Sequence, residues 1–191
     1  NSATKVQLLV PGETAVPGSS TGKSGTPTAR TAGVEFTVTV KLTDNYNNKN
    51  ITDLMPTVRI ITDDQNDVPN QQDVNLSNGE TSVNLTFITA TTTGWTITAD
   101  DISPNLYTTG VSPYIPTNAN VGVKLQILLP GETFAPGTGS GKSGTAVTQT
   151  AGQAFTITAN GCDTYWNRVN DTPIVDINTI DAFDTEPDPE A

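Results

Sequence analysis

The sequence contains no histidine and only one cysteine and one methionine. Without histidine the chain has no Ser-His-Asp triad, no Cys-His pair and no HExxH zinc site, so any catalysis would have to use carboxylates. The single cysteine, Cys162, cannot form an internal disulfide. The fold must therefore be stabilised by packing, by a metal ion or by neighbouring modules.

Basic residues are also scarce: 9 Lys and Arg face 20 Asp and Glu, which gives a formal charge of -11. Phosphate recognition needs clustered Lys and Arg, and the few present here are scattered. This balance argues against a nucleic-acid partner. A divalent cation or a cationic surface is the better match for an acidic chain.

The 191 residues include no apolar run near 18 residues and no signal-peptide pattern, and the first residue is Asn1. We therefore expect no membrane insertion in this segment. We also expect the chain to be an excerpt of a longer polypeptide.

Short β-strands dominate the sequence pattern. Apolar and polar residues alternate between residues 34 and 42, as a strand with one buried face requires, and no 11-residue window keeps a helical period. The pattern predicts an all-β class of antiparallel β-sandwich. The alternating apolar positions are Val34, Phe36, Val38, Val40 and Leu42 in the first segment, Val83, Leu85 and Phe87 in the second, and Trp95, Ile97 and Ala99 in the third.

The chain repeats itself at an offset of 119 residues. Residues 5–48 match residues 124–167 without a gap, with 23 identities in 44 positions. Such self-similarity indicates tandem structural repeats. We predict a first domain over residues 1–118 and a second over 119–191 that contains only the N-terminal part of the repeat.

The second copy has no counterpart of the strands around Val83 and Trp95. Half a sandwich leaves an apolar face and a bare strand edge, which promote association. The missing part is therefore expected either in further chain or in another molecule.

Several motifs of both copies resemble the tandem immunoglobulin-like repeats of large bacterial cell-surface, adhesin, S-layer and extracellular-matrix proteins. They are the Pro-Gly-Glu-Thr end of the opening strand, the Thr-Ala-Gly lead into an alternating strand, an Asp-x-Tyr-x-Asn turn and the closing segment 94–99. The resemblance covers the first copy and half of the second. It implies tandem immunoglobulin-like sandwiches in an extracellular module that stacks or spaces a larger protein, and it transfers no catalytic residue.

Acidic turns are the candidate metal site. Close carboxylates repel one another, and Ca²⁺ relieves that repulsion by taking 6 to 8 oxygen ligands. From sandwich topology we expect the carboxylates after the third strand and at the end of the last strand to lie at one pole and to approach the Asp163 turn of the next repeat. The candidate ligands are Asp63, Asp64, Asp67, Asp100, Asp101 and Asp163, with Glu13 and Glu132 of the Pro-Gly-Glu-Thr turns as further ligands.

The leading functional hypothesis is a non-catalytic structural repeat of an extracellular bacterial surface or matrix protein, stiffened by calcium, with neighbouring repeats or other copies as its partners. One alternative is an adhesin or a carbohydrate-binding accessory module, for which Tyr165 and Trp166 are the candidate aromatic pair that would contact a polysaccharide. Trp95 is interpreted as a core residue. Another alternative is a carboxylate glycosidase, but small sandwiches rarely supply its cleft.

Overall fold

The computed structural model of the protein describes residues 1–183, and these residues form an all-β structure without helices. No helix in this range is therefore long and apolar enough to cross a membrane. The chain divides into two compact units, Asn1–Asn118 and Ala119–Ala191. The predicted all-β class is confirmed, while the immunoglobulin-like assignment stays a prediction.

Unit 1 contains twelve strands among the described residues. They are β1 (Lys5–Leu9), β2 (Glu13–Ala15), β3 (Lys23–Gly25), β4 (Arg30–Thr31), β5 (Phe36–Thr43), β6 (Thr57–Thr62), β7 (Gln71–Asn75), β8 (Glu80–Leu85), β9 (Thr91–Trp95), β10 (Ile97–Ser103), β11 (Gly110–Val111) and β12 (Ile115–Asn118).

Two antiparallel sheets of unit 1 share one hydrophobic core. The first sheet has the strand order β1-β5-β8 and the second β11-β10-β6-β7. The alternation in strand β5 explains how its sheet contributes to this core. Phe36, Val38 and Val40 are buried, whereas Thr37 is exposed, so one face of the strand points into the core. The buried apolar residues of both sheets belong to a single cluster, as in a β-sandwich.

Two smaller sheets complete unit 1. Strands β2 and β3 form a hairpin, and β12 lies between β9 and β4, antiparallel to β9 and parallel to β4. The segment from Trp95 to Ala99 was expected to be one strand. It is divided between β9 and β10 in different sheets, and the break falls at Thr96, whose backbone N–H is bonded to the Asp63 side chain.

Unit 2 repeats the opening of unit 1 in the same register. Its strands are β13 (Lys124–Leu128), β14 (Glu132–Phe134), β15 (Lys142–Gly144) and β16 (Thr158–Cys162). Lys5 lies opposite Thr43 in the β1–β5 ladder, and Lys124 lies opposite Cys162 in the β13–β16 ladder. Both pairs are shifted by the sequence offset of 119 residues. The same backbone arrangement is therefore built twice.

A buried glutamine fastens the glycine-rich loop to the ladder in each unit. The amide of Gln7 donates to the carbonyl of Gly22 at 3.0 Å, and the amide of Gln126 donates to that of Gly141 at 2.9 Å. Gly22 has a φ of 76°, and a Cβ there would lie 2.2 Å from the Asn47 side chain. Only glycine fits this position, because both the backbone conformation and the space exclude a side chain.

Strand β16 is three residues shorter than β5. In unit 1 the first three residues of β5, Phe36–Val38, pair with β8, and β1 pairs only with the residues from Thr39 onwards. The counterparts of Phe36–Val38 in unit 2 are residues 155–157, which lie in no strand. A strand needs a neighbour for its hydrogen bonds, so β16 begins where β13 begins to pair with it.

This difference predicts unequal amide hydrogen exchange in the two copies. The amides of residues 36–38 belong to a central strand, whereas those of residues 155–157 have no ladder partner. We expect residues 155–157 to exchange at least about tenfold faster than residues 36–38. Exchange followed by NMR or mass spectrometry measures this ratio, and equal protection of the two segments would contradict it.

Candidate functional site: the carboxylate turns and an open sheet face

Asp64 is a fully buried carboxylate that holds the segment after β8. One of its oxygens accepts the backbone N–H groups of Ile88 and Thr89 at 2.7 and 2.8 Å. The other accepts the Thr89 hydroxyl at 2.8 Å. A carboxylate with several donors is well satisfied without water, so the carboxylate of Asp64 acts as a structural acceptor within unit 1.

The neighbouring carboxylates of this turn have different surroundings. Asp63 accepts the backbone N–H of Thr96 at 2.7 Å and its hydroxyl at 2.9 Å. Asp67 is buried and accepts the Thr62 hydroxyl, but within residues 1–183 its second oxygen has no hydrogen-bond partner. Burial, reinforced by the charges of Asp64 and Asp63, raises the pKa of Asp67 to about 6 against the opposing effect of the Thr62 bond. Asp67 is thus the carboxylate of this turn whose negative charge is disfavoured by its surroundings.

Asp100 and Asp101 lie at the other end of the β6–β10 ladder. Ile97 at the start of β10 is opposite Thr62, whereas Asp101 is opposite Val58. Asp101 accepts the backbone N–H groups of Leu106 and Tyr107 at 2.8 and 3.1 Å, together with that of Ser103 at 3.1 Å, and so closes the turn after β10. Asp100 accepts the Thr109 hydroxyl.

The expected gathering of five carboxylates at one pole of unit 1 therefore does not occur. Antiparallel neighbours run in opposite directions, so the end of β10 cannot lie beside the end of β6. Asp63, Asp64 and Asp67 remain together, and Asp100 and Asp101 are separated from them by the length of the ladder.

Asp163 organises the turn after β16 as Asp44 organises the turn after β5. The Asp163 carboxylate is fully buried and accepts the backbone N–H groups of Tyr165 at 2.8 Å and Asn167 at 2.9 Å. It also accepts the Asn167 side-chain amide and the N–H of Asn120, each at 2.9 Å. In unit 1 the side-chain amide of Asn48 is the main cause that lowers the pKa of Asp44. The Asp-x-Tyr-x-Asn motif is thus a hydrogen-bonded turn.

Glu13 and Glu132 form matching ion pairs. Glu13 lies 2.8 Å from the ammonium group of Lys23, and Glu132 lies 2.7 Å from that of Lys142. The bond from the Leu129 backbone N–H, followed by that from Lys142, lowers the pKa of Glu132. These lysines belong to the Gly-Lys-Ser segments, where they fix the hairpins β2–β3 and β14–β15 to the neighbouring strand.

No group of three or more Asp, Glu or Cys side chains within the described range is arranged to hold a metal ion. The candidate ligands instead accept hydrogen bonds or ion pairs inside their own units. The binding of calcium between complete repeats stays a prediction.

The two tryptophans have different surroundings. The Trp95 indole N–H donates to the Thr89 carbonyl at 2.7 Å, and its ring packs partly buried against the core. Trp166 is half-buried at a φ of 65°, and its indole N–H donates to the Gly139 carbonyl at 3.1 Å. The Lys124 ammonium lies 4.2 Å from the Trp166 ring centroid, which is a cation–π distance. One face of the indole is therefore occupied.

Apolar side chains of β13 and of residues flanking the β13–β16 sheet are exposed. These side chains are 38–55% exposed, whereas their counterparts in unit 1 are 2–6% exposed within the core. The exposed residues are Leu125, Ile127, Leu129 and Phe155, and the counterparts are Val6, Leu8, Val10 and Phe36. A groove of about 600 Å³ lies beside Leu125 and is lined by residues 122–125, Gly161, Val169 and residues 171–173.

Comparison of the chain with protein-family models, curated proteins and solved structures gives no match. The internal repeat and the geometry of the two units therefore carry the functional argument.

The raised pKa of Asp67 predicts a pH-dependent stability. An unperturbed Asp has a pKa of about 3.9, so the folded state binds this proton more tightly and the contribution of Asp67 to the free energy of unfolding falls as the pH rises from about 4 to about 6. We expect Asp67→Asn to gain stability relative to wild type across this window, by about 1–3 kcal/mol, and to keep a constant advantage above it.

Urea unfolding between pH 4 and 7 measures the difference, followed by Trp95 fluorescence in a Trp166→Phe background. Asp73→Asn is the matched control, because Asp73 is exposed and its Arg59 partner lowers its pKa. The difference in the free energy of unfolding between Asp73→Asn and wild type should not change between pH 5 and 7. A difference for Asp67→Asn that is constant from pH 4 to 7 would contradict the prediction.

The calcium hypothesis makes a separate prediction for a chain with two complete repeats. For a site with a Kd near 1 mM, about 10 mM Ca²⁺ would add about 1.4 kcal/mol to the free energy of unfolding. We expect a melting temperature a few degrees higher in Ca²⁺ than in EDTA by calorimetry. Identical melting temperatures would contradict calcium binding and would leave the carboxylates with their hydrogen bonds in the turns as their only role.

Proposed function

We propose that the chain is a non-catalytic structural repeat module of a large extracellular bacterial surface or matrix protein, in which it spaces or assembles the polypeptide. The proposal rests on one observation: units 1 and 2 contain the same strand ladder, loop and turn, and the two ladders have the same register. Repetition of one supersecondary unit is typical of proteins that build length or surface by addition of modules. The extracellular location and the bacterial source rest on the sequence resemblance alone.

The strand order of unit 1 supports the immunoglobulin-like part of the proposal. Sheet β1-β5-β8 faces sheet β11-β10-β6-β7 across a shared core. In an immunoglobulin-like sandwich the strands A, B and E of one sheet face G, F and C of the other, and C′ extends the second sheet beyond C. The twelve strands of unit 1 include one candidate for each of these positions.

The roles of the carboxylates support a structural module. Asp64, Asp101 and Asp163 each accept at least two backbone N–H groups from turns or connecting segments of their own unit. A glycosidase would instead direct two carboxyl groups into a common cleft. The hydrogen bonds of these three carboxylates therefore favour a structural role over a catalytic one.

The alternative of a carbohydrate-binding or adhesin module is favoured by one observation. Trp166 and Tyr165 are both only half-buried in the same turn. Exposed aromatic faces are the usual platforms for sugars. Because Lys124 and Gly139 already contact Trp166, we rank this alternative second.

Immunogold labelling of the producing cells with antibodies against this chain tests the proposed location. We expect label on the cell surface or in the surrounding matrix, and label confined to the cytoplasm would contradict the proposal.

A glycan array tests the alternative, with the Trp166→Ala variant as the matched control. The structural proposal expects no binding above background, and binding that is lost in the variant would replace it with the alternative.

A further inference from the structure

In both units one buried carboxylate holds the chain where it enters the unit. The backbone N–H of Asn120 donates to Oδ2 of Asp163 at 2.9 Å. In unit 1 the side-chain amide of Asn1, which stands at the position of Asn120, donates to Oδ2 of Asp44 at 3.3 Å. Both Asp residues are at most 2% exposed. The first residue of each copy is therefore bonded to the Asp-x-Tyr-x-Asn turn of its own unit.

This carboxylate bond is a side-chain contact that both copies keep, whereas another one differs. In unit 1 the Asn50 side-chain amide also donates to the Asn1 carbonyl at 3.0 Å. Unit 2 has Val169 at the position of Asn50, and valine has no polar side-chain group. The Asp of the turn motif thus has a second role beyond its own turn, and that role does not depend on the neighbouring contact.

Unit 1 fixes its own last strand by backbone hydrogen bonds. Asn118 is the last residue of β12 and lies opposite Thr31 in the parallel β4–β12 pair. Its carbonyl accepts the N–H of Ala32 at 2.8 Å. The peptide group after Asn118 is therefore held by unit 1, and the peptide group before Asn120 is held by Asp163 of unit 2.

Ala119 is the residue between these two held peptide groups. Peptide groups are planar, so φ and ψ of Ala119 are the soft backbone dihedrals that remain between them. Alanine occupies a smaller part of φ/ψ space than glycine, because its Cβ disfavours positive φ values. The connection between the two copies therefore has two dihedrals, each with a limited range.

We propose that the Asp163 carboxylate is an entry clamp, which shortens the connection between consecutive repeats to Ala119 and thereby restricts the motion of one repeat relative to the next. A hydrogen bond to an ionised acceptor is about twice as strong as one between neutral groups. The N–H groups of Tyr165 and Asn167 also bind this carboxylate, so its own turn holds the acceptor in place.

Loss of the clamp would lengthen the connection. The next backbone bond to the ladder joins the Val123 N–H to the Cys162 carbonyl. Residues 119–122 would then lie between the β12 end of unit 1 and the ladder of unit 2. Four residues in place of one add six soft dihedrals, so the restriction depends on the Asp163 bond.

The inference goes beyond the proposed function, because it concerns the connection of two copies wherever the protein is located. Label confined to the cytoplasm would leave the clamp untouched, and failure of the clamp would leave the surface location untouched.

The test compares the complete chain with Asp163→Asn and with Asp44→Asn as the matched control. Both changes neutralise the same carboxylate of the same turn, but the bond to Asn120 belongs to Asp163. In buffer with EDTA, which removes any divalent cation, we expect the Asn120 amide to exchange at least about tenfold faster in Asp163→Asn than in wild type. Asp44→Asn should keep the wild-type rate.

NMR relaxation of the backbone amides measures the motion of the two units in the same samples. We expect one common rotational correlation time for both units in wild type and in Asp44→Asn, and two shorter, separate ones in Asp163→Asn.

A second variant covers the case in which Asp163→Asn also loosens the turn. Insertion of Gly-Ser-Gly-Ser after Ala119 keeps the clamp and lengthens the connection with flexible residues. It should keep the slow exchange of Asn120 and show two separate correlation times. Protection of the β13–β16 amides reports whether the ladder stays folded. If Asp163→Asn loses that protection, the insertion variant decides.

Three results would overturn the proposal. The first is separate correlation times for the two units in wild type. The second is a wild-type rate of Asn120 exchange in Asp163→Asn with the ladder intact. The third is a common correlation time in the insertion variant, because the two dihedrals of Ala119 would then not be what limits the motion.

Discussion

The antiparallel ladder between an opening strand and its partner is the contact on which both units depend. It is built as β1–β5 and again as β13–β16, with side chains paired in the same register. Each ladder has one face toward a glycine-rich loop, where Gln7 or Gln126 is buried, and an opposite face with apolar side chains. A second sheet covers the apolar face of the ladder in unit 1, whereas among the described residues of unit 2 the apolar side chains of β13 stay exposed.

Carboxylates provide the second organising principle of the molecule. A chain rich in turns has many backbone N–H groups outside strands, and buried N–H groups need acceptors. Asp64, Asp101 and Asp163 satisfy two or more of them each. Asp67 differs because it accepts a hydroxyl and is left with one unpaired buried oxygen. The acidic composition is thus partly a consequence of how the turns are closed.

Much of the fold could be predicted from the sequence. The alternation from residue 34 to 42 predicts β5, and the 119-residue offset predicts the ladder and the open face of unit 2. Asp100 and Asp101 were expected beside Asp63 because their strand was interpreted as the last of the sandwich. Strand β10 is instead followed by β11 and β12, and it runs antiparallel to β6. The division at Thr96 was also missed, because Trp95 and Ile97 keep the same alternation although they belong to different sheets.

The near-identity of β1 and β13 also bears on how the chain finds its native pairing. Both strands carry Lys, Gln and Leu at the same positions. In an unfolded chain β13 therefore competes with β1 for the edge of β5 that β1 occupies in the folded state. During synthesis β1 and β5 leave the ribosome before β13 exists, so they pair without competition from β13. After dilution from denaturant all strands are present at once. Synthesis from the N-terminus therefore favours pairing of β5 with β1 of its own copy over pairing of β5 with β13.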